Sequence, residues 1–146
     1  MVEPFPPPEP LQTEAPEPAI ERLKKRPDFL AAATACHCAR GAVVAQARHR
    51  ADTSAHIRIG FTATRRIGNA VVRNRAKRRL REAARLIAPL HARPGCDYVF
   101  IARGGTASRA WSPLLDDMKS ALIRLAADLS ASLGEPPPPR LLTRPD

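Results

Sequence analysis

Between Arg65 and Arg85 the chain reads RRIGNAVVRNRAKRRLREAAR, nine Lys or Arg against a single acid, Glu82. No folded core can absorb that much charge of one sign, so the segment must lie at a surface, and a polyanionic partner is expected. Gly68-Asn69 is a turn signal, and Asn69 is suited to cap the first backbone N–H groups of a helix. Beyond it Val72, Ala76, Leu80, Ala83, Ile87 and Leu90 recur at steps of three or four, one apolar stripe at about 100° per residue. Arg73, Asn74, Lys77, Arg78, Arg81 and Arg85 are assigned to the far side. Arg75 and Arg79 flank the stripe, placed to lay apolar stems on the core edge while their heads reach water or phosphate. A merely solvated helix face mixes signs, and the acidic partners that i,i+4 pairing needs are missing here. Ligand binding explains the pattern better than solvation.

The remaining charge is distributed unevenly. Residues 1–21 hold five Glu, seven Pro and no Lys or Arg, whereas residues 22–133 carry a net charge of +15 within a chain total of +10. The first segment cannot bury enough apolar surface to offset the entropy of ordering, which predicts a disordered acidic tail. Such a tail is either a bare extension or a cover lying transiently over the basic face. Residues 134–146, neutral and with four consecutive prolines, predict a second, flexible tail. Residues 22–133 suffice for one domain with one modest core. No run of about 18 apolar residues exists, and no basic and apolar leader opens the chain, so a cytoplasmic protein is expected. Cys36, Cys38 and Cys96 are then expected as reduced, partly buried thiols, since Cys36-His37-Cys38 lacks metal-ligand spacing.

The domain's other elements follow from period and punctuation. Arg22, Lys24, Lys25 and Arg26 form a basic entry, Pro27 suits a first helical position, and Phe29, Ala32, Ala33 and Cys36 step at helical spacing. Gly41 to Arg48 is a strand candidate, Arg50 to Ala55 a hairpin connection, and His56 to Thr64 an alternating, half-buried strand. The basic helix should end near Leu90, broken by Pro89 and Pro94-Gly95. Tyr98 to Arg103 is a compact β-rich run. Ser112-Pro113 opens a last helix, with Asp116 and Asp117 near its positive end, and Leu115, Met118, Leu122, Leu125 and Leu129 carry it to about Leu133. The expected fold is a single α+β domain in the order α-β-β-α-β-α, a small sheet with helices packed on it.

The string IGNAVVRNRAKRRLR resembles the signature of the protein subunit of bacterial ribonuclease P, the ribonucleoprotein that matures the 5′ end of transfer RNA. Arg73-Asn74-Arg75 form its core, Lys77, Arg78 and Arg81 follow at the family's spacing, and Arg65-Arg66 precede the turn. More weakly, the resemblance runs from about Arg22 to Leu133. It implies a left-handed β-α-β crossover through the basic helix. It also implies that Arg65, Arg66, Arg73, Arg75, Lys77, Arg78, Arg81 and Arg85 bind RNA, while Asn74 hydrogen-bonds to RNA or fixes neighbouring loops. RLKKRPDF resembles the start of the family domain, where aromatics line a cleft for the single-stranded 5′ leader of precursor tRNA by stacking on bases. Phe29 matches. Ala33, Ala42 and Ala45 stand where aromatics are common, which implies a shallower cleft. Arg103 closes a family-like Ile101-Ala102-Arg103 and is either a phosphate contact or a solvated strand end.

Nothing in the sequence points to chemistry by the protein itself. The domain's adjacent acids, Asp116-Asp117, diverge by about 100° on a helix and cannot easily share one ion. His37, His49, His56 and His91 belong to no recognisable acid–base set, and no Gly-rich phosphate loop or nucleophile elbow occurs. The resemblance assigns the catalytic Mg2+ mainly to the RNA subunit, with no metal bound by the protein. Expected partners are that RNA and precursor tRNA, with neither membrane nor DNA. A basic ribosome-associated protein or RNA chaperone without a leader cleft is the alternative. A helix-turn-helix DNA binder is disfavoured because strands flank the basic helix.

Overall fold

The computed structural model describes residues 19–50, 54–132 and 134. The acidic and Pro-rich tails lie almost wholly outside these residues, as do Asp52 and Leu133. In chain order the elements are β1 (Ile20–Arg22), α1 (Arg26–Ala33), β2 (Cys36–Arg40), β3 (Val43–His49), β4 (Ile57–Thr62), a 3-10 turn (Arg65–Ile67), α2 (Ala70–His91), β5 (Cys96–Ala102) and α3 (Trp111–Ser132). The strands form one sheet in the order β1-β4-β5-β3-β2. This is the expected α+β domain with a short strand added at each edge.

Both added strands come from pairing that local sequence does not encode. Ile20 and Arg22 lie opposite Ile57 and Ile59 in a parallel pair, and Leu23 N continues the ladder to Ile59 O at 2.9 Å. Helix α1 stops at Ala33 rather than running on to Cys36. Thr34 Oγ1 donates to Ala31 O and Ala35 N to Ala32 O, closing the last turn. An eight-residue helix with Ala32 as its one buried residue has little packing to extend it. Cys36 to Arg40 instead pairs antiparallel with β3.

The segment 50–55 is not a hairpin connection, because β5 lies between β3 and β4, antiparallel to the first and parallel to the second. The hairpin is β2–β3, turned at Gly41 with φ 52°. A Cβ on Gly41 would fall 2.3 Å from Asp117 Oδ1, so glycine is required twice over. Adjacent, parallel β4 and β5 are joined through α2, a β-α-β crossover.

Helices α2 and α3 cover one sheet face and α1 part of the other. The main core joins Val43, Ile57, Tyr98 and Phe100 to Leu80, Ala83 and Ala84 of α2 and to Leu114, Met118, Leu122 and Leu125 of α3. A smaller cluster under α1 holds Leu23, Ala32 and Val99, with Phe29 and Ile101 packed against it. Central β5 is buried on both faces, as a strand flanked by layers must be. α3 begins at Trp111, one residue before Ser112, with Leu114 N bonded to Ala110 O at 3.1 Å. No described helix is long and apolar enough to cross a membrane.

Helix α2 departs from its expected stripe at one end. Pro89 stays inside the helix, and Leu90 is 75% exposed, while Ala84 and Ala88 are buried. The buried direction rotates along the helix towards Ala88. Leu90, about 200° further round, therefore points away from the sheet.

Candidate nucleic-acid interface

The basic helix is started by the residues the sequence marks for that purpose. Asn69 accepts from Val72 N at 3.0 Å, and Gly68 holds φ 148°, where a Cβ would meet that of Val72 at 2.9 Å. The 3-10 turn ahead of it presents Arg65 and Arg66, both exposed. Asn74, Arg75, Arg78, Arg81 and Arg85 are exposed along α2.

Two expected far-side cations are placed differently. Arg73 and Lys77 are half-buried, and Arg73 Nε is enclosed without a hydrogen-bond partner among the described residues. Arg73 lies seven residues before Leu80, only about 20° from it around the helix, so its stem shares the apolar side. The cationic band thus wraps from the core edge outward.

Among the described residues, Arg65, Arg66, Arg73, Arg75, Lys77, Arg78 and Arg81 have no carboxylate ion-pair partner. Arg85 does, with Nε donating to Glu82 at 3.1 and 3.2 Å. Hydrogen bonding from Arg85 holds the Glu82 carboxyl below its ordinary range, and the same contact raises the guanidinium. Arg81 is oriented by Phe61, its guanidinium carbon 5.9 Å from the ring centroid.

Arg79, in the middle of the motif, turns inward. It donates to Thr106 O at 2.6 Å and to Arg109 O, and its guanidinium lies 5.8 Å from the Trp111 ring centroid. Burial, and then the nearby charge of Arg75, lower its pKa. Arg109 in turn binds Asp117, which also accepts Ala42 N at 3.0 Å from the β2–β3 turn. Fully buried Thr106 completes the junction, with its Oγ1 accepting Arg103 N and donating to Ala42 O, each at 2.7 Å. Arg79 is therefore a clamp on the 103–110 loop rather than a cation snorkelling to solvent.

The two expected cleft residues do not line one hollow. Phe29 lines a shallow depression of about 360 Å³ with Arg22, Leu23, Lys24 and Phe61, and its ring fills the place a Gly60 Cβ would take, 2.5 Å away. Arg103 lies outside it, exposed at the end of β5, with Nη1 3.3 Å from Gly41 O.

Beneath α1 lies an ionic network that sequence reasoning missed. Asp97 has no exposed surface and accepts from Arg48 at 3.0 Å, Arg50 at 2.8 Å and Arg58 at 2.7 Å. Asp28 of α1 bonds to Arg48 and Arg58 from above. Burial pushes the Asp97 carboxyl up, but the three arginine hydrogen bonds outweigh it and hold the group below its ordinary value. The signal was register: Arg48, Asp97 and Arg58 are direct cross-strand neighbours. The thiols are free, Cys38 and Cys96 buried and Cys36 half-buried. Among the described residues no three His, Cys, Asp or Glu converge as a metal site would require.

Comparison with known proteins places this geometry. Residues 18–126 match the family model described as Ribonuclease P. The ribonuclease P protein component of Caulobacter vibrioides is 68% identical over 110 residues, covering 75% of this chain and 74% of that one. That of Ruegeria pomeroyi is 54% identical over 110 residues, covering 74% and 88%. Among solved structures, a Staphylococcus aureus RNase P protein mutant with defective mRNA degradation activity superposes with TM-score 0.62 at 25% identity, covering 71% of this chain and 86% of that one. The RNase P protein of Thermotoga maritima gives TM-score 0.58 at 25% identity, covering 68% and 93%. With the family model spanning well over half its length, and relatives this similar, the chain belongs to the ribonuclease P protein family.

Proposed function

We propose that this chain is the protein component of a ribonuclease P holoenzyme. It binds the RNA subunit through the 3-10 turn and α2, and supports removal of the 5′ leader from precursor tRNA in the cytoplasm. The observation that carries this is the run of exposed or half-exposed cations from Arg65 to Arg81 without carboxylate partners among the described residues, on a helix whose other side is buried in the core. Phosphate oxygens satisfy such cations and release counterions as they bind. Arg65, Arg66, Arg73, Arg75, Lys77, Arg78 and Arg81 are the phosphate contacts, with Arg85 shared between Glu82 and RNA. Asn74 stands exposed among them as a hydrogen-bonding group.

Among the described residues no three acids, histidines or thiols converge. In this reading Mg2+ and the activation of water belong to the RNA subunit. The protein lowers repulsion between two polyanions and steadies the leader against the α1 face, where Phe29 is the aromatic surface.

The test is reconstitution with a ribonuclease P RNA and a precursor tRNA. Cleavage is expected at a Mg2+ concentration too low for the RNA alone. If the protein leaves the Mg2+ requirement unchanged while still binding RNA, the ribosome-associated or chaperone alternative replaces this reading.

A further inference from the structure

On the helix side of the sheet a groove of about 440 Å³ opens between edge strand β1 and α2. Ile20, Ile59 and Phe61 give it an apolar lining, and Arg22, Arg81 and Arg85 give it cations. Glu21 also lines it, but its carboxylate is engaged 2.9 Å from His56 Nδ1. Ile20 remains 43% exposed beside the groove. No described segment occupies the space.

The chain's own preceding segment has the complementary chemistry. Residues 1–18 carry Glu3, Glu9, Glu14 and Glu17 with no Lys or Arg, and Val2, Phe5 and Leu11 are spaced among their prolines. This segment joins the fold at the groove itself. Ala19 O accepts Ile57 N at 3.0 Å, and the next residue, Ile20, is already part of the lining. From Arg81 to Pro89 the groove follows about two helical turns, roughly 12 Å, which about four extended residues span. Tethering at its edge gives the segment an effective concentration on the order of millimolar. RNA would satisfy the arginines, but its phosphates have no use for the apolar lining.

We propose that Leu11 and its immediate neighbours seat in this groove, Leu11 against Ile59 and Phe61, with Glu9 and Glu14 on either side reaching Arg81 and Arg85. Because Arg81 also belongs to the RNA face proposed above, the seated segment competes with loosely bound RNA. That second consequence rests on the proposed function, whereas the seating does not.

Amide chemical shifts of the full chain and of a chain lacking residues 1–18 decide the matter at low salt. Differences are expected at Ile59, Phe61, Arg81 and Ala84, and the full chain carrying Leu11→Ser, Glu9→Gln and Glu14→Gln should reproduce the truncated pattern there. Differences confined to residues 19–22, or spread over Arg65 to Arg78 with the groove unmoved, overturn the seating. Affinity for an unrelated single-stranded RNA should rise roughly 3- to 10-fold on truncation and converge with the full chain at high salt. Equal affinity overturns the competition. Both chains are also assayed for precursor tRNA cleavage with the RNA subunit. Activity in both, with no groove shifts, sinks the seating and leaves the proposed function standing.

Discussion

Arg78 and Arg79 are neighbours in the motif with opposite surroundings, so replacing each by alanine should have different consequences. Arg78 is exposed, with no carboxylate partner among the described residues, whereas Arg79 is committed to Thr106 O, Arg109 O and the Trp111 ring. The seven proposed phosphate contacts, Arg65, Arg66, Arg73, Arg75, Lys77, Arg78 and Arg81, give an expected log–log salt slope of about −5 to −6 at roughly 0.7–0.9 per phosphate. Arg78→Ala should flatten that slope by roughly 0.7–0.9 and leave unfolding free energy within about 0.5 kcal/mol. Arg79→Ala should keep the slope but lose two charge-assisted hydrogen bonds and a cation–π contact, about 2–4 kcal/mol. Binding of the RNA subunit across a KCl series and urea unfolding of both variants provide the readouts. If Arg79→Ala flattens the slope as Arg78→Ala does, at undiminished stability, the inward assignment is wrong. An affinity that barely responds to salt in the parent chain would refute the whole cationic face.

Three further outcomes follow from other parts of the structure. Asp97→Asn should cost roughly 2–4 kcal/mol in urea unfolding, because it strips the charge that Arg48, Arg50 and Arg58 share in a buried site. Since the folded state holds this carboxyl below its ordinary value, its contribution is complete above the unfolded pKa of about 4 and disappears as pH falls through the folded value. The variant's acid limb should therefore be flatter, and an unchanged limb would discount the network. Gly41→Ala combines a left-handed φ with a Cβ 2.3 Å from Asp117, so a loss of about 1–3 kcal/mol is expected in thermal unfolding, and a neutral result would misplace the turn. Burial raises both the Cys36 and the Cys96 thiols, Cys96 to about 11, but Cys36 is only half-buried, so iodoacetamide at pH 8 should label Cys36 first; equal rates would contradict the buried site.

How much of this was legible in the sequence depends on whether a feature is local. The cap at Asn69, the stripe through Ala76, Leu80 and Ala83, and the helix from Trp111 are set by residues within one or two turns, and they stand where period and punctuation put them. Assigning Arg73 to the far side is a misreading of the same period, since counting about 100° per residue back from Leu80 puts it near the core side. β1, β2 and the insertion of β5 between β3 and β4 were not legible, because a strand's partner is chosen by non-local pairing. The Asp97 network shares that fate: three of its members are cross-strand neighbours only once the register is set. The cationic face could be inferred without any of this, because an unpaired guanidinium is too costly to bury wherever the chain goes. Burial cost identifies a surface and nothing finer. It treats every arginine of the motif alike, and it takes the 103–110 loop, brought back against α2 by the crossover, to separate Arg79, which holds the fold together, from the cations proposed to meet RNA.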